Sequence, residues 1–432
     1  MREMKDSNVN WLNTIPCDWA LSRIKYVFNE RIEKNDPIKT KDILSLTAKQ
    51  GVVPLSEKEG GGNKPKEDFT AYKLAYPNDI VINSMNILSG SVGLSKYFGC
   101  VSPVYYMLRP FNDNFDVRYF NYIFQTKVFQ LSLFGLGNGI LIKESGNGKF
   151  NTIRMRIPME KFGNLLIPVP NEKEQIKISN YLDTKCSEID ATAEDIQKEI
   201  ALLEDYKKSV ITEVVTKGLN PDAEMKDSGV KWLPKIPKHW KVIPSKYLFA
   251  NSDIRRQTGD EQLTASQKYG IITQKNYTAK ENAQVVLATQ GLEKWKHVEP
   301  NDFIISLRSF QGGLEMSDIT GCITWHYVVL KAQKKVYHKY YKWLFKSARY
   351  INALQGTCNF IRDGQDLRFS NFALVPLFEL PLEEQQQIAD YLDTKCSEID
   401  TLIADKKRQV DILADYKKSL IYEYVTGKKE VV

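Results

Sequence analysis

Tyr181-Leu182-Asp183-Thr184-Lys185-Cys186-Ser187-Glu188-Ile189-Asp190 recurs unchanged at residues 391–400, and this ten-residue identity, YLDTKCSEID, governs the reading of the chain. Downstream of it, DYKKS occurs at 205–209 and again at 415–419. Upstream, MKDSNVNWLNTIPCDWALSRIKYVF at 4–28 matches MKDSGVKWLPKIPKHWKVIPSKYLF at 225–249 in 13 of 25 positions. The matches include Trp11/Trp232, Pro16/Pro237, Trp19/Trp240, Tyr26/Tyr247 and Phe28/Phe249. Identity of this length does not arise by chance, so the chain is a tandem duplication. Each copy reads as an arm, a variable region and a conserved helix.

The helices are legible from their periodicity. No Gly or Pro interrupts the stretch from about Pro170 to Thr216. Leu182, Ile189, Ile196, Leu203 and Val210 form one rail at heptad spacing, beside Cys186, Ala193, Ile200, Lys207 and Val214. The second copy repeats this with Leu392, Ile399, Lys406, Leu413 and Leu420, beside Cys396, Ile403, Val410, Lys417 and Tyr424. Sustained paired rails predict a long coiled-coil helix in each copy, a rod of roughly 70 Å at ~1.5 Å per residue. Two such rods in one chain can pair antiparallel, which gives a pseudo-two-fold duplication.

The variable regions mix short β-like runs, such as DIVIN at 79–83, DFIIS at 302–306 and HYVVLKA at 326–332, with Gly-rich loops and aromatic helical stretches. They are diverged copies of each other. PNDIVI at 77–82 matches PNDFII at 300–305, Gly99-Cys100 matches Gly321-Cys322, and RYFNYIFQT at 118–126 matches KYYKWLFKS at 339–347. The predicted class is α+β, with two similar domains and two long coiled-coil helices. The predicted segments are an arm at 1–28, a domain at 29–168, a helix at 169–218, a linker and second arm at 219–249, a second domain at 250–378 and a second helix at 379–432.

Composition narrows the function. The chain has 432 residues, 42% hydrophobic and 26% charged, ordinary values for a folded protein of two or three domains. No apolar run has the length of a membrane span, and the N-terminus lacks an apolar signal core. With six cysteines, this reads as a cytoplasmic protein with reduced thiols. The net charge of +7 is unevenly spread. Residues 29–168 carry +5 and 250–378 carry +6, whereas 169–218 and 379–432 carry −4 each. Basic domains and acidic rods turn the domains toward a polyanion.

Catalytic motifs are missing from the sequence. There is no Gly-x4-Gly-Lys-Ser/Thr phosphate loop, no Gly-rich turn between a strand and a helix, and no Asn/Asp-Pro-Pro-aromatic string. Asp183-Thr184-Lys185 and Asp393-Thr394-Lys395 have the letters of a nuclease motif but lie on the rods, where they read as solvated surface. The four histidines lack metal spacing, and Cys100, Cys322, Cys186 and Cys396 read as small buried apolar residues.

In combination, these strings resemble the specificity subunit of type I restriction–modification systems. The resemblance is carried by YLDTKCSEID, the DYKKS pair and the Trp-Leu-x-x-Ile-Pro-x-x-Trp arms. It also rests on Pro381-Leu382-Glu383-Glu384-Gln385 before the second helix and its variant Pro170-Asn171-Glu172-Lys173-Glu174-Gln175 before the first. Ile305-Ser306-Leu307-Arg308-Ser309-Phe310-Gln311-Gly312-Gly313 adds to it, and the likeness covers essentially the whole chain. It implies a non-catalytic chain whose variable domains each recognise one half of a bipartite site in double-stranded DNA. It also implies rods that set the half-site separation and dock two methyltransferase subunits, with restriction–translocase subunits joining them. S-adenosylmethionine, ATP and Mg are then expected in the partners, with no cofactor or metal in this chain.

Base readout uses Arg or Lys for guanine, Asn or Gln for adenine and small polar donors. Candidates in the second domain are Arg308, Ser309 and Gln311, beside Gly312-Gly313 where backbone can approach a ligand closely. The matching first-domain stretch holds Ser84, Asn86, Ser89 and Ser91. Lys143 and Arg362 occupy equivalent loops near Asn138 and Asn359, and Lys64 and Lys66 follow the Gly60-Gly61-Gly62 turn. The alternatives are a stand-alone sequence-specific DNA-binding protein and a coiled-coil scaffold. The first lacks a recognisable helix-turn-helix, and the basic, polar-looped domains argue against the second.

Overall fold

The structure is a computed structural model and describes residues 2–431 apart from 49, 60–64, 66, 138–142, 145–149, 152–155, 282–287, 289, 307, 308 and 358–366. Contacts divide the chain into two compact units, Met1–Ile196 with Arg408–Val432, and Gln197–Lys407.

The first unit is built on a four-stranded antiparallel sheet of β1 (Phe28–Arg31), β2 (Ile80–Asn83), β3 (Val92–Leu94) and β4 (Tyr105–Pro110), in the order β1-β4-β2-β3. β2 reads Ile-Val-Ile-Asn and buries all four side chains, as a strand covered on both faces must. One face meets the helix Val117–Gln125. That helix is capped by the Asp116 carboxylate, which accepts from the Arg118 N–H, and it buries Tyr119, Phe120, Ile123 and Phe124. Phe120 meets Phe28 edge to face with ring centroids 5.2 Å apart. The other face meets the hairpin Leu44–Thr47/Gly51–Pro54, whose Leu44, Leu46 and Val52 pack with Val81 and Met107.

The second unit repeats the plan with β5 (Phe249–Ser252), β6 (Phe303–Ile305), β7 (Glu315–Met316) and β8 (Val328–Ala332), in the order β5-β8-β6-β7. The helix His338–Lys346 buries Tyr340, Tyr341, Leu344 and Phe345, and Tyr341 meets Phe249 at 5.1 Å. The arms are not separate appendages. Ala20–Arg23 pairs with Leu166–Val169 in one unit, and Lys241–Ile243 pairs with Leu377–Glu379 in the other.

The long helices are α1 (Glu172–Lys217, 46 residues) and α2 (Leu382–Val425, 44 residues). The rail residues of α1 from Leu182 to Val214 are buried or half-buried, and most residues between them are exposed. In the first unit α1 runs antiparallel to α2, with Tyr181 against Tyr424 and Asp190 accepting from Lys417 Nζ at 2.6 Å. In the second unit Asp400 accepts from Lys207 Nζ at 2.6 Å, and Lys406 pairs with Glu199. The repeated strings are therefore each other's complement. The last Asp of each YLDTKCSEID meets the first Lys of the DYKKS from the other helix. Such exposed pairs contribute about 0–1 kcal/mol each, so they set register more than they stabilise.

The Glu-Gln pair leading into each helix joins helix, arm and domain. Glu174 accepts the Trp19 indole N–H at 2.9 Å and Glu384 accepts that of Trp240 at 3.0 Å. Gln175 donates to Pro170 O at 2.8 Å and accepts from the Asp116 N–H at 3.0 Å. Gln385 does the same with Leu380 O at 2.9 Å and the Tyr337 N–H at 2.8 Å. The Tyr119 hydroxyl donates to Val425 O at 2.9 Å and that of Tyr340 to Val215 O at 3.0 Å, so the far end of one long helix closes each unit.

Asp183 and Asp393 lie on the solvated side of the rods, 44% and 40% exposed, and each also accepts from its own domain. Asp183 accepts from the Tyr122 hydroxyl at 2.7 Å and from Arg118 at 2.9 Å. Asp393 accepts from the Trp343 indole at 2.8 Å and from Lys339 at 2.9 Å. They fasten the aromatic helix of each domain to its long helix. Cys100, Cys186, Cys322 and Cys396 are buried, and burial pushes their thiols up. Among the described residues no helix is long and apolar enough to cross a membrane, and no group of three or more His, Cys, Asp or Glu could hold a metal ion.

Candidate nucleic-acid interface

In each unit the sheet brings two connections to one end. In the first unit, Asn83 at the end of β2 stands opposite Tyr105 at the start of β4. The loop after residue 83 and the turn at 102–104 are therefore neighbours, joined by the Ser84 hydroxyl donating to Val104 O at 2.8 Å. The 47–51 hairpin turn reaches the same end, because a Cβ at Gly93 would lie 3.0 Å from Gly51 Cα. In the second unit Ile305 stands opposite Val328, which sets Ser306, at the start of the connection after β6, beside the 324–327 turn. There the hairpin turn reaches over through Gln267, whose side chain would lie 2.9 Å from a Cβ at Gly312.

The candidates fall into three groups. Asn86 and Ser89 are exposed on the first-unit loop. Counting back from the matched Leu94 and Met316, Ser89 corresponds to Gln311, which lies in a one-turn helix, Ser309–Gly312. Lys143 lies in a two-residue strand paired with Phe150–Asn151. Ser84, Ser91 and Ser309 are buried instead, with Ser309 only 1% exposed. The Ser309 hydroxyl accepts the Ser306 N–H at 2.8 Å, and Ser91 O accepts the Asn83 N–H at 3.0 Å. These serines are buried, and Ser84 and Ser309 hold their loops through their hydroxyls. Lys64, Lys66, Asn138, Arg308, Asn359 and Arg362 lie outside the described residues.

The Gly312-Gly313 pair also departs from its reading as a place of close ligand approach. Gly313 has φ +77°, and a Cβ there would lie 2.1 Å from Phe345 O. The close approach is inward, to the domain's own helix.

Two charged features escaped the sequence reading. Lys127 is exposed, and its Nζ lies 3.4 Å from Leu88 O, which places a cation on the first-unit loop. Beneath the second-unit loop, Glu315 is buried and paired with Lys346. Burial pushes its carboxyl up, and the lysine opposes that shift. The matching first-unit residues are Gly93 and Gln125, so this pair belongs to one unit only. A signal was present in the sequence, since an acid within an otherwise apolar strand pattern calls for a cation nearby.

No family model matches the chain. A curated protein of Methanocaldococcus jannaschii, named "Putative type I restriction enzyme MjaX specificity subunit", is 23% identical over 279 residues, 62% of this chain and 60% of that protein. The chain thus matches about 60% of this relative's length. Among solved structures, a chain from a study of complex assembly and conformational transition of the type I R-M system aligns over 96% of this chain and 99% of its own length. Its TM-score is 0.66 at 12% identity. The HsdS subunit from Thermoanaerobacter tengcongensis aligns over 96% and 98%, with TM-score 0.51 and 14% identity. At these identities the solved structures establish a common fold, and the chain resembles type I specificity subunits in both sequence and fold.

Proposed function

We propose that this chain is the sequence-recognition subunit of a type I restriction–modification complex. It binds double-stranded DNA at an asymmetric bipartite target, and the loop face of each unit reads one half. The observation that carries this reading is the pairing of a repeated frame with unrepeated loops. Two basic domains of one fold carry different residue types, Ser89 and Gln311, at matching positions of the connections that follow β2 and β6. One fold reading two different half-sites must differ where it touches bases.

The chain carries no catalysis of its own in this reading and acts in the cytoplasm. Methyltransferase partners hold S-adenosylmethionine and methylate adenine, and restriction–translocase partners use ATP and Mg. The test is to map methylated adenines in the host genome with the chain intact and with Gln311→Ala. The intact chain should give one asymmetric bipartite motif. Gln311→Ala should relax one half only, since a bidentate side chain supplies roughly 1–3 kcal/mol of discrimination. An unchanged motif at full occupancy would place readout elsewhere.

Two methyltransferase subunits are expected per chain. Leu202 and Tyr206 are exposed one turn apart on α1, and their repeat equivalents Ile412 and Tyr416 are exposed on α2. The same apolar pair displayed twice fits two copies of one partner. Native mass spectrometry at saturating partner should give a two-to-one complex, and a stable one-to-one complex would contradict it.

A further inference from the structure

One turn of the second unit carries an aromatic pair, Trp325 and His326, where the matching turn of the first unit has Pro103 and Val104. Trp325 is 50% exposed, and its ring lies over the His326 imidazole with centroids 3.5 Å apart and planes inclined at 28°. Both residues sit in the tight turn that leads into β8, closed by the Tyr327 N–H donating to Thr324 O at 3.1 Å. In the first unit the same turn is closed by the Tyr105 N–H donating to Ser102 O at 3.0 Å, and its corners are Pro103 and Val104. The frame is held on either side of the change, by Gly99-Cys100 against Gly321-Cys322 and by Tyr105 against Tyr327.

We propose that the Trp325–His326 stack is a specificity-determining contact of the second unit, an aromatic plate that meets base edges of duplex DNA in the half-site read by that unit. The proposal rests on the DNA-reading function above and adds residues to it.

Position comes first. Ile305 and Val328 are opposite each other, so the turn carrying the stack lies beside the start of the connection that holds Gln311. Exposure is the second point. Leaving half of an indole in water forgoes the stabilisation of burying its apolar surface, and a surface turn has no folding need for tryptophan, as Pro103 and Val104 demonstrate in the sister unit. Preorganisation is the third. Stacking on the imidazole holds the indole in one orientation before any ligand arrives, which lowers the entropy lost on binding.

The fourth point is the contrast with one pair of surface aromatics that the two units share. Tyr26 and Tyr247 are matching residues, 61% and 55% exposed, each with a lysine over its ring. An aromatic displayed by both units serves something common to both. Trp325 is displayed by one unit, and what differs between the units is the half-site. The indole offers an apolar face for a thymine methyl or an opened base step, and one N–H donor for a base acceptor.

The experiment uses the chain assembled with its methyltransferase partner. The target is first defined by methylated-adenine mapping, and duplexes with single base-pair changes in each half are then titrated against wild type, Trp325→Ala, Trp325→Phe and His326→Ala. Trp325→Ala should weaken cognate binding by roughly ten- to a hundredfold and flatten discrimination at one or two adjacent positions of one half. Preferences in the other half should stay as in wild type. Trp325→Phe should retain part of the discrimination and His326→Ala should lose part of it. An unaltered profile for Trp325→Ala overturns the proposal. So does equal weakening on every duplex, or loss of the methyltransferase partner, which would make the stack a protein contact. If the wild-type complex itself reads no bipartite duplex, the functional reading fails first, and the inference with it.

Discussion

Replacing Trp240 by alanine is expected to remove about 3–5 kcal/mol of stability from the second unit, the range for losing a fully buried aromatic side chain. Trp240 has no exposed surface and belongs to the cluster that includes Val215, Tyr340, Phe378 and Leu392. Its ring meets Tyr340 at 6.5 Å and Phe378 at 6.3 Å. Arm, aromatic helix, closing strand and both long helices converge there, so the cavity has no single element that can collapse into it. The indole N–H also satisfies Glu384, which would keep only His239 at 2.8 Å. Glu384→Gln retains an acceptor and the packing, and should cost about 1 kcal/mol. Denaturant unfolding of the two variants separates packing from the hydrogen bond. A loss below about 1 kcal/mol for Trp240→Ala would mean that the arm is not part of the core. Trp19→Ala should act alike in the first unit, where Glu174 keeps Arg2.

How far the sequence could be read follows from which residues repeat. The rails were legible because their period is local, and the long helices run Glu172–Lys217 and Leu382–Val425 inside the expected segments 169–218 and 379–432, the second ending seven residues before its segment does. Lys207 and Lys417 break the apolar rails for a reason that lies on the other helix, in Asp400 and Asp190, and one rail alone does not display it. The α+β class and the matched strands of the two domains were legible from PNDIVI and PNDFII. The hairpin that covers the second sheet face was not, since its order depends on a glycine turn at Gly51 with φ +68° and on contacts distant in sequence.

On the loop faces, residue type was a poor guide to direction. Ser84, Ser91 and Ser309 have suitable chemistry for a base, yet their hydroxyls or backbones face inward and hold the loops. Gly313 leaves room beside its backbone, and Phe345 O occupies that space. Trp325 was passed over because aromatic residues are first assigned to cores, and only burial separates it from Trp240.

Lys346→Met should destabilise the second unit in a pH-dependent way. Glu315 lies within β7, directly after the connection that holds Gln311, and Lys346 supplies its counter-charge. Breaking a buried pair by removing one member costs about 3–5 kcal/mol, and the partly exposed ammonium argues for about 3 kcal/mol. The sign with pH follows from the carboxyl. Burial raises it above its ordinary value, so the folded chain holds this proton more tightly than the unfolded chain does. Its contribution to stability is therefore fully present below the unfolded value, near about 4.3, and is lost as pH rises through the folded value. Removing the lysine takes away the influence that lowers the carboxyl, shifts the folded value further up and widens that window. The deficit of Lys346→Met should accordingly be small near pH 4 and grow toward neutrality. Adding Glu315→Gln removes the charge that was left unpaired, and the double variant should recover most of the stability and lose the pH dependence. Urea unfolding of wild type, single and double variants across this range measures both. A deficit that is flat with pH, or a double variant no better than the single, would show that Lys346 acts through packing and not as the counter-charge beneath the second loop face.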